Sequence, residues 1–241
     1  MGKKYKYETH LHTQEGSACA RSSGADYIEP YIQIGYSGLF VTDHFWGGNT
    51  AVDRSLPWNI WVENFCKGYE AAFSAAEEYN IKNNLKGTEK EFKVFFGFEQ
   101  SFQGDDYLIY GLSKQWLLEN PQVANMTHRE LFKAVNKQKG VMIQAHPFRF
   151  RQYMQAMHQH PLEVHGIEVY NGGNKPIENQ MAELYAQAFD FPVTSGSDIH
   201  GTETVFKKEG MPIGGVCFDE PLKSIEDYAN RIKNRKGIII K

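Results

Sequence analysis

Nine histidines lie along this 241-residue chain. Five of them, His10, His12, His44, His146 and His200, fall at or just beyond the ends of short apolar runs. Two carboxylates share that placement: Glu99 closes the run from Val94, and Asp198 follows the run Pro192 to Ser197. Imidazole and carboxylate without thiolate is a donor set for zinc, iron or manganese rather than calcium. Each residue alone has an ordinary reading as a hydrogen-bonded core side chain or a loop residue. Seven such groups at the ends of five runs point together to a metal site with room for two ions, or three.

The local spacing says how each would present its donor. Strand side chains alternate, so His10 and His12 point to the same side and can reach one ion. Asp198 and His200 repeat that i, i+2 spacing. Asp43 and His44 end the run from Gly38 either as an orienting carboxylate beside a ligand or as a cap and a loop residue. Glu99 follows so apolar a stretch that its charge needs a cation beside it to offset desolvation; a carboxylate there can bridge two ions. Pro147 stops the strand directly after His146. His158-Gln-His160 is also an HxH pair, but it has no strand before it; His128, His158, His160 and His165 sit in polar helix or loop contexts.

These residues need a scaffold that brings strand ends to one face. Apolar runs of strand length alternate with longer amphipathic ones, the pattern of repeated βα units. Strands are expected at Tyr5–His12, Gly38–His44, Phe92–Glu99, Tyr107–Leu112, Val141–His146, Gly166–Tyr170 and Pro192–Ser197, followed by two β-like runs, Gly214–Phe218 and Gly237–Ile240. Helices are expected at Ala25–Ile34, Trp58–Asn83, Thr127–Lys139, Glu178–Phe189 and Ser224–Lys236, the last with Ser224 as N-cap and Asp227 at its third position. In a parallel α/β barrel the strand C-termini converge on one face, which carries the chemistry. No repeat, low-complexity tract or linker interrupts the pattern, so one domain over residues 1–241 is the expectation.

Composition narrows the class. Hydrophobic residues make up 41% and charged residues 23%, with a formal net charge of −3; there is no basic stripe of the kind a nucleic-acid binder carries. The three cysteines, Cys19, Cys66 and Cys217, form no CxxC pair and suggest neither a zinc ribbon nor a disulfide framework. Without a signal-like h-region or a long apolar run, a cytoplasmic protein with no membrane contact is expected.

In order along the chain, Thr9-His-Leu-His-Thr13, Gly38 to His44, Gly97-Phe-Glu99, Ala145-His-Pro147, Gly166 to Asn171 and Gly196-Ser-Asp-Ile-His200 resemble the motifs of the PHP family, which includes domains of bacterial DNA polymerases and histidinol phosphatases. The resemblance covers residues 5–205. It implies a distorted seven-stranded (β/α)7 TIM-like barrel with two or three divalent ions (Zn, Mn or Fe) at its C-terminal mouth. It also implies that His10, His12, Glu99 and Asp198 hold one ion, that Glu99 and His146 share a second, and that His44 and His200 serve a third. Family members usually offer another His or Asp soon after the HxH pair; here the candidates are Glu15 and Cys19, with Glu15 preferred as the harder, acidic ligand. Where many members carry a His beside the fourth strand, this chain has Asp106.

The chemistry implied is hydrolysis of a small phosphomonoester, in which paired ions lower the pKa of a water and clamp phosphate oxygens. Glu99 and Asp198 would be the catalytic carboxylates, Asp198 passing a proton to the leaving group. Neither a GxSxG elbow nor a P-loop motif competes with that reading. Arg149, three residues past His146, is the leading anchor for a phosphorylated substrate; Arg21 and Lys175 are second candidates, and Asn171 would orient a ligand or form a turn. Trp46, Trp58 and Trp61 would line the opening or, more in keeping with aromatic residues generally, pack in the core. The alternatives are a phosphodiesterase or exonuclease acting on nucleic-acid ends, which the near-neutral charge disfavours for long substrates, an amide-cleaving hydrolase, and a catalytically weak metal-binding module.

Overall fold

The structure, a computed structural model, describes residues 4–152, 154–206 and 213–241. Nine strands form one sheet: β1 (Tyr5–Glu8), β2 (Gly38–Val41), β3 (Lys93–Phe102), β4 (Asp105–Tyr110), β5 (Val141–Gln144), β6 (Gly166–Asn171), β7 (Val193–Gly196), β8 (Gly215–Phe218) and β9 (Ile238–Ile240). Their order is β7-β6-β5-β4-β3-β2-β1-β8-β9. The helices are α1 (Ile28–Gln33), α2 (Trp58–Phe65), α3 (Lys67–Lys82), α4 (Lys114–Glu119), α5 (His128–Lys137), α6 (Pro176–Ala188) and α7 (Ile225–Lys233).

The α/β barrel class holds, with two departures from an all-parallel barrel of seven strands. β4 runs antiparallel to both neighbours, because a tight hairpin at Gln103 and Gly104, both at positive φ, returns the chain directly from β3. The strand expected to end at Glu99 therefore continues to Phe102. β8 and β9 extend the sheet beyond β1, β8 antiparallel to β1 and β9 antiparallel to β8. Closure is shared between them and a direct contact: Leu11 bridges Ile199 in parallel, while Gly215 N–H donates to Ser195 Oγ and His12 N–H to Ile199 O.

Alternation along the strands sorts the core. Leu39, Val41 and Val94 face outward onto Tyr31 of α1 and Ala72 and Ala76 of α3. Their neighbours Phe40, Phe95, Leu108, Tyr110 and Ile143 form a separate cluster with Tyr228, Ala229 and Ile232 of α7. Two-residue steps along those same strand faces lead from Phe40 to Thr42 and His44, from Phe95 to Gly97 and Glu99, and from Tyr110 to Leu108 and Asp106. The candidate ligands thus stand above an apolar layer plugged by α7.

The helix expected over Trp58–Asn83 is broken at Cys66, where ψ is −4° instead of the helical −42° or so. The break lets α2 stack Trp61 on Phe65 and wedge both against Phe45. α3 meanwhile brings Gly68 so close to Gly24 that a Cβ on Gly24 would lie 1.9 Å from the Gly68 carbonyl oxygen. Ser224 caps α7 as expected, accepting a hydrogen bond from Asp227 N–H.

Candidate metal centre

His10 and His12 follow β1, His44 follows β2, Glu99 sits within β3, His146 follows β5, and Asp198 and His200 follow β7. All seven side chains meet at one end of the barrel. His10 Nε2 and His12 Nε2 are 3.1 Å apart. Asp198 Oδ1 lies 3.4 Å from the first and 3.1 Å from the second. Glu99 Oε1 lies 3.3 Å from His10 Nε2 and 3.1 Å from His146 Nε2, while Oε2 lies 2.7 Å from His44 Nδ1. Three overlapping sets have ligand atoms mutually within 4.8 Å: His10, His12 and Glu99; Glu99, Asp106 and His146; and His12, His44 and His200. A fourth, His10, His146 and Asp198, links the first two.

Groups behind the imidazoles fix which nitrogen faces the centre. His10 Nδ1 is 2.9 Å from Glu168 Oε1, His12 Nδ1 is 3.0 Å from Ser17 Oγ, and His200 Nδ1 is 2.8 Å from the Asp198 carbonyl oxygen. Such partners set the tautomer and leave Nε2 with a free lone pair. Asp43 supports this arrangement from behind, accepting from Thr13 N–H, Thr13 Oγ1 and Ser17 Oγ. Burial pushes its carboxyl up to about 6 despite those bonds.

The backbone is strained where the donors turn inward. His146 has φ of +29° and Asp198 of +53°, in the left-handed region that non-glycine residues seldom enter. Gly196 lets β7 run against the HxH segment: a Cβ there would lie 2.3 Å from His10 Cβ.

The electrostatics fit divalent cations. Burial alone would raise Glu99, but the histidines His44 and His10 hold it well below the usual carboxylate range. Burial likewise opposes ionisation of Asp198, and His10, Arg149 and His12 outweigh it. Asp106 is pushed up to about 6 by burial and by the charge on Glu99. Burial, with His44 and His200 close by, lowers His12 well below the ordinary histidine value. Glu99 Oε2 and His44 Nδ1 are both buried, and although near each other they are not in hydrogen-bond geometry. Two buried lone-pair atoms turned to a common point, and two facing Nε2 atoms, suit a shared cation better than they suit each other.

Glu15 does not join the cluster. Its carboxylate accepts from Ser23 Oγ at 2.5 Å and from Gly24 N–H at 3.2 Å, serving the start of the 3-10 helix Gly24–Tyr27. The nearby place is taken by Cys19, which lines the cavity beside His44 and His200. Half-burial would raise its thiol, but hydrogen bonds with His200 and His44 outweigh that and bring it down to about 6. The preference for a harder ligand concerned chemistry alone; the 13–24 loop turns Glu15 to the helix start and Cys19 inward.

Arg149 reaches the cavity, where it is ion-paired with Asp198 and donates to the Gly173 carbonyl at 3.4 Å. Arg21 does not: it is 62% exposed and ion-paired with Glu203 on the surface. Asn171 is fully buried behind the site, donating to Glu168 Oε2 at 2.9 Å, so it orients Glu168 and has no face toward a ligand. Lys175 caps α6. The tryptophans pack: Trp58 stacks on Trp61 at 5.4 Å, and none of Trp46, Trp58 and Trp61 lines the cavity.

Two carboxylates in the site's support went unread. Glu8, fully buried, accepts from the backbone N–H groups of Thr9, His10 and Ser197 and from the hydroxyls of Ser197 and Tyr31. Glu168 accepts from His146 N–H as well as contacting His10. Both carried a legible signal. Glu8 stands two residues before His10, and Glu168 interrupts an apolar strand as Glu99 does. The open face of the cluster lines a cavity of about 730 Å³ bordered by Gly47, Gly48, Ser101, Arg149, Arg151 and Met154.

No family model and no curated protein matches the chain. Solved structures do. A two-domain protein of Bacteroides vulgatus, described as containing a "predicted PHP-like metal-dependent phosphoesterase", matches 99% of this chain at 14% identity and a TM-score of 0.67; this chain spans 65% of that protein's length. A candidate metal-dependent phosphoesterase of Bifidobacterium adolescentis matches 84% of the chain and 90% of its own, at 15% identity and a TM-score of 0.54. An amidohydrolase of Chromobacterium violaceum, with bound sulfate, matches 98% of the chain and 97% of its own, at 13% identity and a TM-score of 0.50. At these identities the likeness speaks for the fold, which is that of PHP-like proteins, as the motif resemblance implies.

Proposed function

We propose that this chain is a metal-dependent phosphoesterase that hydrolyses a small phosphomonoester. The observation that carries the reading is the convergence of His10, His12, Glu99, Asp198, His146, His44 and His200 at the floor of a cavity whose rim holds Arg149 and Arg151. Divalent ions held there would stabilise charge on phosphoryl oxygens as Lewis acids and lower the pKa of a water. By donor set, His10, His12, Glu99 and Asp198 would hold one ion, Glu99, His146 and Asp106 a second, and His44 and His200 with Cys19 a third.

The chain's own residues do the rest. Arg149 Nε is buried without a hydrogen-bond partner, and a substrate phosphate oxygen supplies the acceptor it lacks. Arg151 adds a second cation at the same rim. Asp198, paired with Arg149 and held ionised, orients charge in place of carrying a proton. Asp106 lines the same cavity beside Glu99 and His146, where its carboxylate would serve the second ion and not the leaving group. The cavity volume suits a small organic phosphate. A net charge of −3 without a basic stripe gives no grip on a long nucleic acid.

The test is phosphate release from a panel of phosphomonoesters by protein loaded with manganese, zinc or iron, beside a His10→Ala/His12→Ala control. Turnover in the parent and none in the control supports the reading. Bound metal with cleavage of amide substrates instead would move the chain to the second hydrolase class sharing this fold. Bound metal with neither activity would leave a metal-binding module.

A further inference from the structure

A second group of metal-type donors lies on the other side of β4. Side chains alternate along that strand, so Asp106 faces the central cavity while Tyr107 faces the outer layer. Against Tyr107 pack His128, at the start of α5, and His160, on the returning limb of the long segment between β5 and β6. Glu163, three residues on, completes the group. One donor atom from each of His128, His160 and Glu163 lies within 4.8 Å of the other two.

Three observations separate this trio from an ordinary polar contact. The His128 and His160 rings are 4.1 Å apart and tilted by 21°, close to the 4.3 Å and 30° of His12 with His44 and the 4.4 Å and 24° of His12 with His200. His128 contacts Glu163 Oε2 through Nδ1 at 3.3 Å, while its Nε2 is buried with no partner, in a side chain only 8% exposed. The Tyr107 hydroxyl is also buried without a partner. The other two histidines of the region have partners already: His158 Nδ1 meets Asp105 at 2.6 Å, and His165 contacts Met142 N–H and Asn136.

We infer that His128, His160 and Glu163 form a further divalent-cation site, of zinc type by its two imidazoles and one carboxylate, with solvent completing the coordination. Glu163 also carries an ion pair from Arg129, a largely exposed side chain that can swing into solvent without loss of packing. The role follows from position. The segment leaving β5 carries Arg149, Arg151 and Met154 to the cavity rim and then returns through His160 and Glu163. A cation shared with His128 ties that return to α5, so the site is structural and separate from the central cluster.

The test counts metal. Tag-free protein is loaded with zinc, desalted and assayed for metal, as the parent, as His160→Gln, as Glu163→Gln and with each added to His10→Ala/His12→Ala. The expected result is a loss of about one zinc per chain with either outer substitution in both backgrounds, with unchanged circular dichroism. Zinc should also raise the unfolding midpoint less in His160→Gln than in the parent. Equal zinc content in the parent and His160→Gln, with both folded, would overturn the inference. An anomalous-scattering peak between His128 and His160 in zinc-soaked crystals would support it independently of activity.

Discussion

Arg149 is ion-paired with one oxygen of Asp198, while the other oxygen of that carboxylate lies 3.1 Å from His12 Nε2. A single side chain thus ties the arginine at the cavity rim to the imidazole cluster at its floor. On the proposed function, replacing Arg149 with alanine would remove the phosphate anchor and leave Asp198 with histidine neighbours only. KM for a phosphomonoester should rise about tenfold to a hundredfold, the worth of hydrogen bonds to charged groups. Arg149→Lys should recover part of this, keeping the charge and losing the planar fork. Steady-state kinetics decide it, and an unchanged KM in Arg149→Ala would remove the arginine from substrate binding.

On the proposed function, Glu168 would act on a bound metal through His10, whose Nδ1 it holds at 2.9 Å. Glu168→Gln keeps the shape and removes the charge that fixes the imidazole. Metal affinity should fall about tenfold to a hundredfold, as for other carboxylates behind ligating histidines. Competition with a chelator measures this. Affinity equal to that of the parent would make Glu168 a packing residue.

Cys19 should be the most reactive of the three thiols in metal-free protein. Its thiol titrates near 6, while burial pushes Cys66 up to about 12 and also raises Cys217. A lowered thiol pKa means that the thiolate forms at lower pH, so the alkylation rate should climb as pH rises through 6 and then level off. Saturating zinc should protect the residue. Iodoacetamide labelling followed by peptide mass spectrometry reads the pH profile; a rate still climbing beyond pH 8 would contradict the assignment.

Glu8 is a stability residue rather than a catalytic one. Alanine there leaves five donors without an acceptor in a fully buried pocket. The cost should be about 3 kcal/mol or more, a fall of about 6–12 °C in the unfolding midpoint for a chain of this size. Glutamine keeps one carbonyl for the three N–H groups and turns its amide toward two hydroxyls that can rotate to accept. Its cost should be about 1 kcal/mol. Thermal melts of the two variants compare directly, and equal losses would mean that volume, not hydrogen bonding, explains the site.

Much of this protein was readable from local spacing. Alternation with period two put His10 and His12 on one side, apolar runs located the nine strands of the described residues, and the Ser224–Asp227 pair marked α7. These properties depend on residues a few positions apart, so the sequence determines them by itself. The seven groups at strand ends were legible for the same reason: a strand carries its end residues wherever the sheet goes.

Tertiary structure decided what depends on neighbours distant in the chain. The reversed direction of β4 follows from a two-residue hairpin whose consequence shows only once β3 and β5 flank it. Whether Glu15 or Cys19 faced the histidine cluster depended on the path of the 13–24 loop over His44 and His200. Arg21 and Asn171 were plausible as types, but one found Glu203 at the surface and the other found Glu168 behind His10. Glu8 and Glu168 became supports only when β1, β6 and β7 closed around them. Donor type and periodicity are written residue by residue. The partner of each polar group is chosen in space, by which segments pack together and which buried atoms would otherwise go unsatisfied.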